Sequence, residues 1–127
     1  MKVRIKGNFV RFRLVQSEVK TISELGSCEE KTVFGISANQ TFTYRLVSKS
    51  GITQLEATLE NNVLTMYMPI EDAKKWHDDE RVGYENDVDN GTATPLHLLL
   101  EKDFVCLDET VEDQSDNYPH PFENLHK

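Results

Sequence analysis

Lys2, Arg4, Lys6, Arg11 and Arg13 alternate with apolar residues near the start of the chain. Grouped on one surface, such residues hold anions. A guanidinium fork meets two carboxylate or phosphate oxygens at once, and an ammonium adds a compact positive charge. Gly7-Asn8 divides the run and is a two-residue hairpin signal. Folding about it sets Lys6 opposite Phe9, Ile5 opposite Val10, Arg4 opposite Arg11, Val3 opposite Phe12 and Lys2 opposite Arg13. Val3, Ile5, Val10 and Phe12 then share one face and the five bases the other. Like charges opposite each other destabilise a sheet. The basic face therefore requires acids on a neighbouring strand or on the chain's own C-terminal segment, a bound anion, or an acidic partner. Arg45, at an outward position of a later alternating run, is a sixth candidate for the same site.

The charge of the whole chain sharpens this reading. The net charge is −8. Residues 1–20 nevertheless carry six Lys/Arg against the single acid Glu18. From 103 to 126 there is no Lys or Arg, and Asp103, Asp108, Glu109, Glu112, Asp113, Asp116 and Glu123 follow one another. An acidic far field disfavours nucleic acid. The expected partners are a small phosphate-bearing anion or an acidic protein. The acidic segment is itself a candidate counter-ion for the basic face, each exposed pair being worth about 0–1 kcal/mol.

Other constellations are weaker. Asp113-Gln114-Ser115-Asp116-Asn117 opens like a calcium loop, but the sixth position is not glycine and the twelfth, Asn124, is not Glu. Cys106, His120 and His126 lack zinc-motif spacing, and Cys106 sits in the apolar run Phe104–Leu107, where a thiol is expected to be a core residue. His97, among Leu96, Leu98, Leu99 and Leu100, is expected to be a satisfied core histidine. No phosphate-binding glycine loop, dinucleotide fingerprint or HExxH occurs, so neither cofactor nor metal is expected. Cys28 and Cys106 form no CxxC, the start of the chain does not read as a signal peptide, and no apolar run approaches a membrane span. A reduced, cytoplasmic protein is the expectation.

The elements that must position these residues follow from periodicity. Val15, Val19, Ile22 and Leu25 recur at helical spacing before Gly26, predicting a helix over 16–25. A strand is expected at 28–34. Runs 40–48, 53–60 and 63–69 alternate, with Asn61-Asn62 as a type I′ turn. Read as a three-stranded meander, they put Phe42, Tyr44, Leu46, Leu55, Ala57, Leu59, Leu64, Met66 and Met68 on one face. Residues 70–78 read as a second helix anchored by Trp76, 81–86 as a short strand and 95–101 as an interior strand. No internal repeat stands out. The fold class expected is α+β: an antiparallel sheet of about six strands, hairpin plus meander, with two short helices on its apolar face. Residues 1–107 would form one domain and 108–127 an extended acidic tail.

Two stretches carry a resemblance. Met1–Asn8 with Arg11–Val19, and Glu101–Leu107 with Glu112–Pro119, together with Glu60-Asn61-Asn62, resemble a family of short bacterial proteins, a domain of unknown function. The resemblance implies a small cytoplasmic protein and carries over no catalytic residue. The alternating strands are also similar to the lining of triphosphate-binding tunnel enzymes. Lys2-Val3-Arg4-Ile5-Lys6, however, has bases where that family's metal-binding acids belong.

The function expected from the residues is therefore non-enzymatic binding or regulation through Lys2, Arg4, Lys6, Arg11, Arg13 and Arg45. The alternative is an enzyme acting on a phosphorylated small molecule, with Glu56 or a tail acid as base. An enzyme would enclose the bases beside a carboxylate or histidine, whereas a binding module would leave them on an open face.

Overall fold

The structure, a computed structural model, describes residues 1–104. Cys106, the acidic tail and the expected turns and histidines within it lie outside the described residues. Chain order is β1 (Lys2–Lys6), β2 (Phe9–Leu14), α1 (Gln16–Leu25), β3 (Ser27–Val33), a 3-10 turn (Ala38–Gln40), β4 (Thr41–Lys49), β5 (Glu56–Glu60), β6 (Val63–Pro69), α2 (Ile70–Trp76), β7 (Gly83–Val88) and β8 (Leu96–Lys102).

The fold is α+β, but the strands form two four-stranded mixed sheets rather than one antiparallel sheet of six. Their orders are β1-β2-β8-β7 and β3-β4-β6-β5. The first hairpin has the expected register, from Lys2 opposite Arg13 to Lys6 opposite Phe9. Asn61 and Asn62, at φ 50° and 64°, make the expected turn, with Leu59 opposite Leu64 and Ala57 opposite Met66. The meander is corrected: β4 pairs with β6, in parallel, and β5 lies on the outside. Burial accounts for this order. A central strand needs apolar residues and partners on both edges, and β6 is buried along most of its length. β5, with Glu56, Thr58 and Glu60, suits an edge. The alternation itself holds, because a strand keeps its apolar face whichever neighbour it takes.

The pairing reveals an internal repeat that the residues conceal. β1-β2-α1-β3-β4 and β5-β6-α2-β7-β8 are two copies of one ββαββ unit, and each sheet takes one hairpin from each copy. The offset that carries Phe12 to Met66 also carries Leu14 to Met68, Val10 to Leu64, Val19 to Ala73, Ile22 to Trp76 and Leu46 to Leu100. All twelve are buried in one core. The parallel pairs obey the same relation: Phe12 beside Leu100 in one sheet corresponds to Met66 beside Leu46 in the other.

The helices pack on each other and share the core that both sheets line, rather than covering one face of a single sheet. Ser23 Oγ donates to the Ala73 carbonyl at 2.6 Å across this contact. The Val15 N–H donates to Glu18 Oε1 at 3.0 Å at the start of α1, and Gly26 ends it at φ 82°. No helix among the described residues is long and apolar enough to cross a membrane.

Candidate functional site

The strand registers lay the outer face of the first sheet out as three rows. These are Lys2–Arg13–Glu101–Gly83, Arg4–Arg11–Leu99–Glu85 and Lys6–Phe9–His97–Asp87. Bases from β1 and β2 occupy one side and acids from β7 and β8 the other. Lys2, Arg4, Lys6, Arg11 and Arg13 are thus brought together, as the hairpin pattern requires. Arg45 is not among them. It stands on the second sheet, where its Nε donates to Thr65 Oγ1 at 2.8 Å. Glu56, the expected base of the enzymatic alternative, is also on the second sheet, 3.4 Å from Lys49 Nζ.

The bases differ in how far they are matched. Lys2 Nζ lies 3.1 Å from Asp103. Arg11 and Arg13 share Glu101, at 3.9 and 3.8 Å. Arg4 and Lys6 are exposed, and no acid among the described residues forms an ion pair with either. Among the described residues β1 is an edge strand, and no described strand pairs with its outer edge.

The repeat supplies an internal comparison. The residues equivalent to Lys2, Arg4, Lys6, Arg11 and Arg13 are Glu56, Thr58, Glu60, Thr65 and Tyr67. The same backbone therefore forms without a single base at these positions.

His97 is not a core residue. It faces outward, stacked on Phe9 with ring centroids 5.2 Å apart, Nδ1 2.5 Å from Asp87 and Nε2 3.4 Å from Glu85. The leucines on both sides of it suggested an all-apolar strand. Their alternation, with Leu98 and Leu100 buried and Leu99 not, is the signal that places His97 outside. Asp87 and Glu85, which complete this cluster, were not singled out from the sequence, because their strand, β7, reaches the hairpin only across β8.

Among the described residues no group of His, Cys, Asp and Glu has the geometry of a metal site. The Cys28 thiol is pushed up by burial and by the Glu18 carboxylate, which keeps it protonated near neutrality.

The model of a family of unknown function, DUF7009, matches residues 1–122. No curated protein and no solved structure matches the chain.

Proposed function

The chain belongs to DUF7009, a family of unknown function, and from the geometry of its own surface we propose that Arg4 and Lys6, flanked by Arg11 and Arg13, bind an acidic segment of a protein partner. The observation that carries this reading is the unequal matching of the bases. Lys2, Arg11 and Arg13 have acids of the same chain beside them, whereas Arg4 and Lys6 have none among the described residues. An open strand face suits an extended partner better than a small anion, which is held tightly only when enclosed. An edge strand whose outer side pairs with no described strand, and which carries alternating bases, is also a template for an acidic strand laid beside it. The role is binding rather than catalysis.

Anisotropy of a fluorescein-labelled deca-glutamate peptide tests the proposal. Saturable, salt-sensitive binding that tripolyphosphate displaces only weakly supports it. Binding of tripolyphosphate in preference to the peptide would move the reading to a small phosphate-bearing anion.

The His97 cluster favours a second reading, an enzyme acting on a phosphorylated small molecule with His97 as base in the row that Lys6 begins, across Phe9. It is the lesser reading because both ring nitrogens already meet carboxylates, Asp87 and Glu85. A general base needs one nitrogen aimed at its substrate.

A further inference from the structure

β1 and β5 hold equivalent places in the two copies of the repeat, and each is the outer strand of its sheet. β1 reads Lys2-Val3-Arg4-Ile5-Lys6 and β5 reads Glu56-Ala57-Thr58-Leu59-Glu60. The outward positions thus carry bases on one edge and two acids on the other. The inward positions, Val3 and Ile5 against Ala57 and Leu59, are apolar on both. An inward-pointing charge is one device that keeps an edge strand from pairing. Neither edge has one, although Ile5 is 57% exposed and Leu59 67%.

The backbone phase of the two edges matches as well. The His97 N–H donates to the Asn8 carbonyl and the Asp103 N–H to the Leu14 carbonyl, both at 2.8 Å. Successive residues of a strand bond to opposite sides, so β2 turns its even-numbered residues to β8 and bonds to β1 through Phe9, Arg11 and Arg13. Lys6, Arg4 and Lys2 are their partners. The N–H and C=O groups of Val3 and Ile5 therefore point away from the sheet. The Thr43 N–H, donating to the Asn62 carbonyl at 3.0 Å, sets the same phase in the second sheet, so Ala57 and Leu59 point their groups outward from β5. No described strand pairs with either set.

These phases select one pairing. With the edges antiparallel, Val3 stands opposite Leu59 and Ile5 opposite Ala57 as hydrogen-bonded pairs. Lys2 then meets Glu60 and Lys6 meets Glu56 at the closer, non-hydrogen-bonded positions. Arg4, opposite Thr58, has a glutamate on each diagonal. In a parallel pair a residue that bonds across stands opposite one that does not, as Thr43 does opposite Val63. Parallel edges would therefore set Val3 and Ile5 on the face of the glutamates. Lys6 and Glu60 form no ion pair with a described residue, and the pairs of Lys2 with Asp103 and of Glu56 with Lys49 are partly exposed. Like edges repel, bases against bases for β1 and acids against acids for β5.

We propose that β1 of one copy of this chain pairs antiparallel with β5 of another copy. The inference rests on the reading of Arg4 and Lys6 as a site for an acidic segment, and it names that segment as β5 of a second copy. The contact is head-to-tail, so the assembly extends as a chain or closes as a ring.

Sedimentation velocity of the full chain over a hundredfold range of concentration tests this. The expected result is a mass that rises above the monomer with concentration and falls back in high salt. Lys2→Glu/Lys6→Glu and Glu56→Lys/Glu60→Lys are each expected to stay monomeric. An equimolar mixture of the two is expected to associate, since one variant has glutamates on both edges and the other has lysines on both. A wild type that stays monomeric overturns the proposal, as do single variants that associate like wild type or a mixture that stays monomeric. Should a variant not fold, hydrogen exchange of wild type decides. The Val3, Ile5, Ala57 and Leu59 amides are expected to exchange at least tenfold more slowly in concentrated than in dilute protein, and unchanged rates overturn the proposal. Deca-glutamate binding to Glu56→Lys/Glu60→Lys, where β1 is untouched, separates the two readings. Peptide bound by that variant while wild type stays monomeric overturns the pairing alone, and no binding with no association overturns both.

Discussion

Arg4 and Thr58 hold the same place in the two copies of the ββαββ unit. Each is the middle residue of its hairpin's first strand, outward-facing, opposite Arg11 in one case and Thr65 in the other. One scaffold thus presents two versions of one surface. The version with Glu56, Thr58, Glu60, Thr65 and Tyr67 has the same strand pairing as the version built from bases, so the positive charge on β1 and β2 is not a requirement of the backbone. This equivalence separates residues that hold the molecule together from residues free to bind.

Replacing Arg4 and Lys6 by the residues of their own equivalents, Arg4→Thr with Lys6→Glu, is expected to leave stability nearly unchanged. Exposed substitutions of this kind fall within about 0.5 kcal/mol each, and neither residue is in an ion pair with a described acid. Urea denaturation of wild type and double variant checks this. A loss of several kcal/mol would show that the basic face is structural.

Core positions related by the repeat should behave alike. Phe12 and Met66 are both fully buried at the centre of their sheets. Phe12→Ala is expected to cost about 3–5 kcal/mol and Met66→Ala about 2–5 kcal/mol, the sum of lost burial and the cavity left behind. Both losses should appear in one cooperative transition, because the two sheets share one core. Separate transitions in calorimetry would contradict a shared core.

Tyr84→Phe is expected to stabilise the protein by about 1 kcal/mol, since it removes a buried hydroxyl with no hydrogen-bond partner among the described residues. It should also change the response to alkaline pH. Burial, reinforced by Asp72 and Asp79, raises the Tyr84 phenol from 10.0 to about 12. The folded state therefore keeps a proton that the unfolded chain releases. The associated stability is present below pH 10 and is lost as pH rises through about 12. Urea midpoints between those values should fall less steeply in Tyr84→Phe than in wild type, and parallel slopes would count against the assignment.

Cys28 should alkylate slowly. Burial first, and Glu18 second, raise its thiol, so little thiolate forms at neutral pH. Peptide mapping after iodoacetamide at pH 7.5 is expected to show Cys28 modified more slowly than free cysteine. Glu18→Gln should speed the reaction. A rate equal to that of free cysteine would contradict the burial.

What could be read from the residues alone was local. Gly7-Asn8 and Asn61-Asn62 set two registers correctly because a two-residue turn leaves one pairing that puts Val3, Ile5, Val10 and Phe12, and Ala57, Leu59, Leu64 and Met66, each on one side. α1 was legible because Val19, Ile22 and Gly26 mark its face and its end. The neighbour of β4 was not legible. Its parallel pairing with β6 depends on which strand is apolar enough for the centre, and consecutive alternating runs read as a meander instead. The repeat was hidden because Asn8 with Asn62 and Lys20 with Lys74 are isolated identities, while Phe12 with Met66 and Ile22 with Trp76 share only burial. Of the site, the five hairpin bases were legible through alternation. Arg45 was misplaced because its sheet was not known to be a separate one, and His97 because its leucine neighbours masked the side it faces.

The most direct test of the central claim is the affinity of the labelled deca-glutamate peptide for wild type and for Arg4→Thr/Lys6→Glu, at matched ionic strength and with melting temperatures measured alongside. The account predicts at least a tenfold loss of affinity with no change in melting temperature. Equal affinity for the two proteins, both folded, would contradict it.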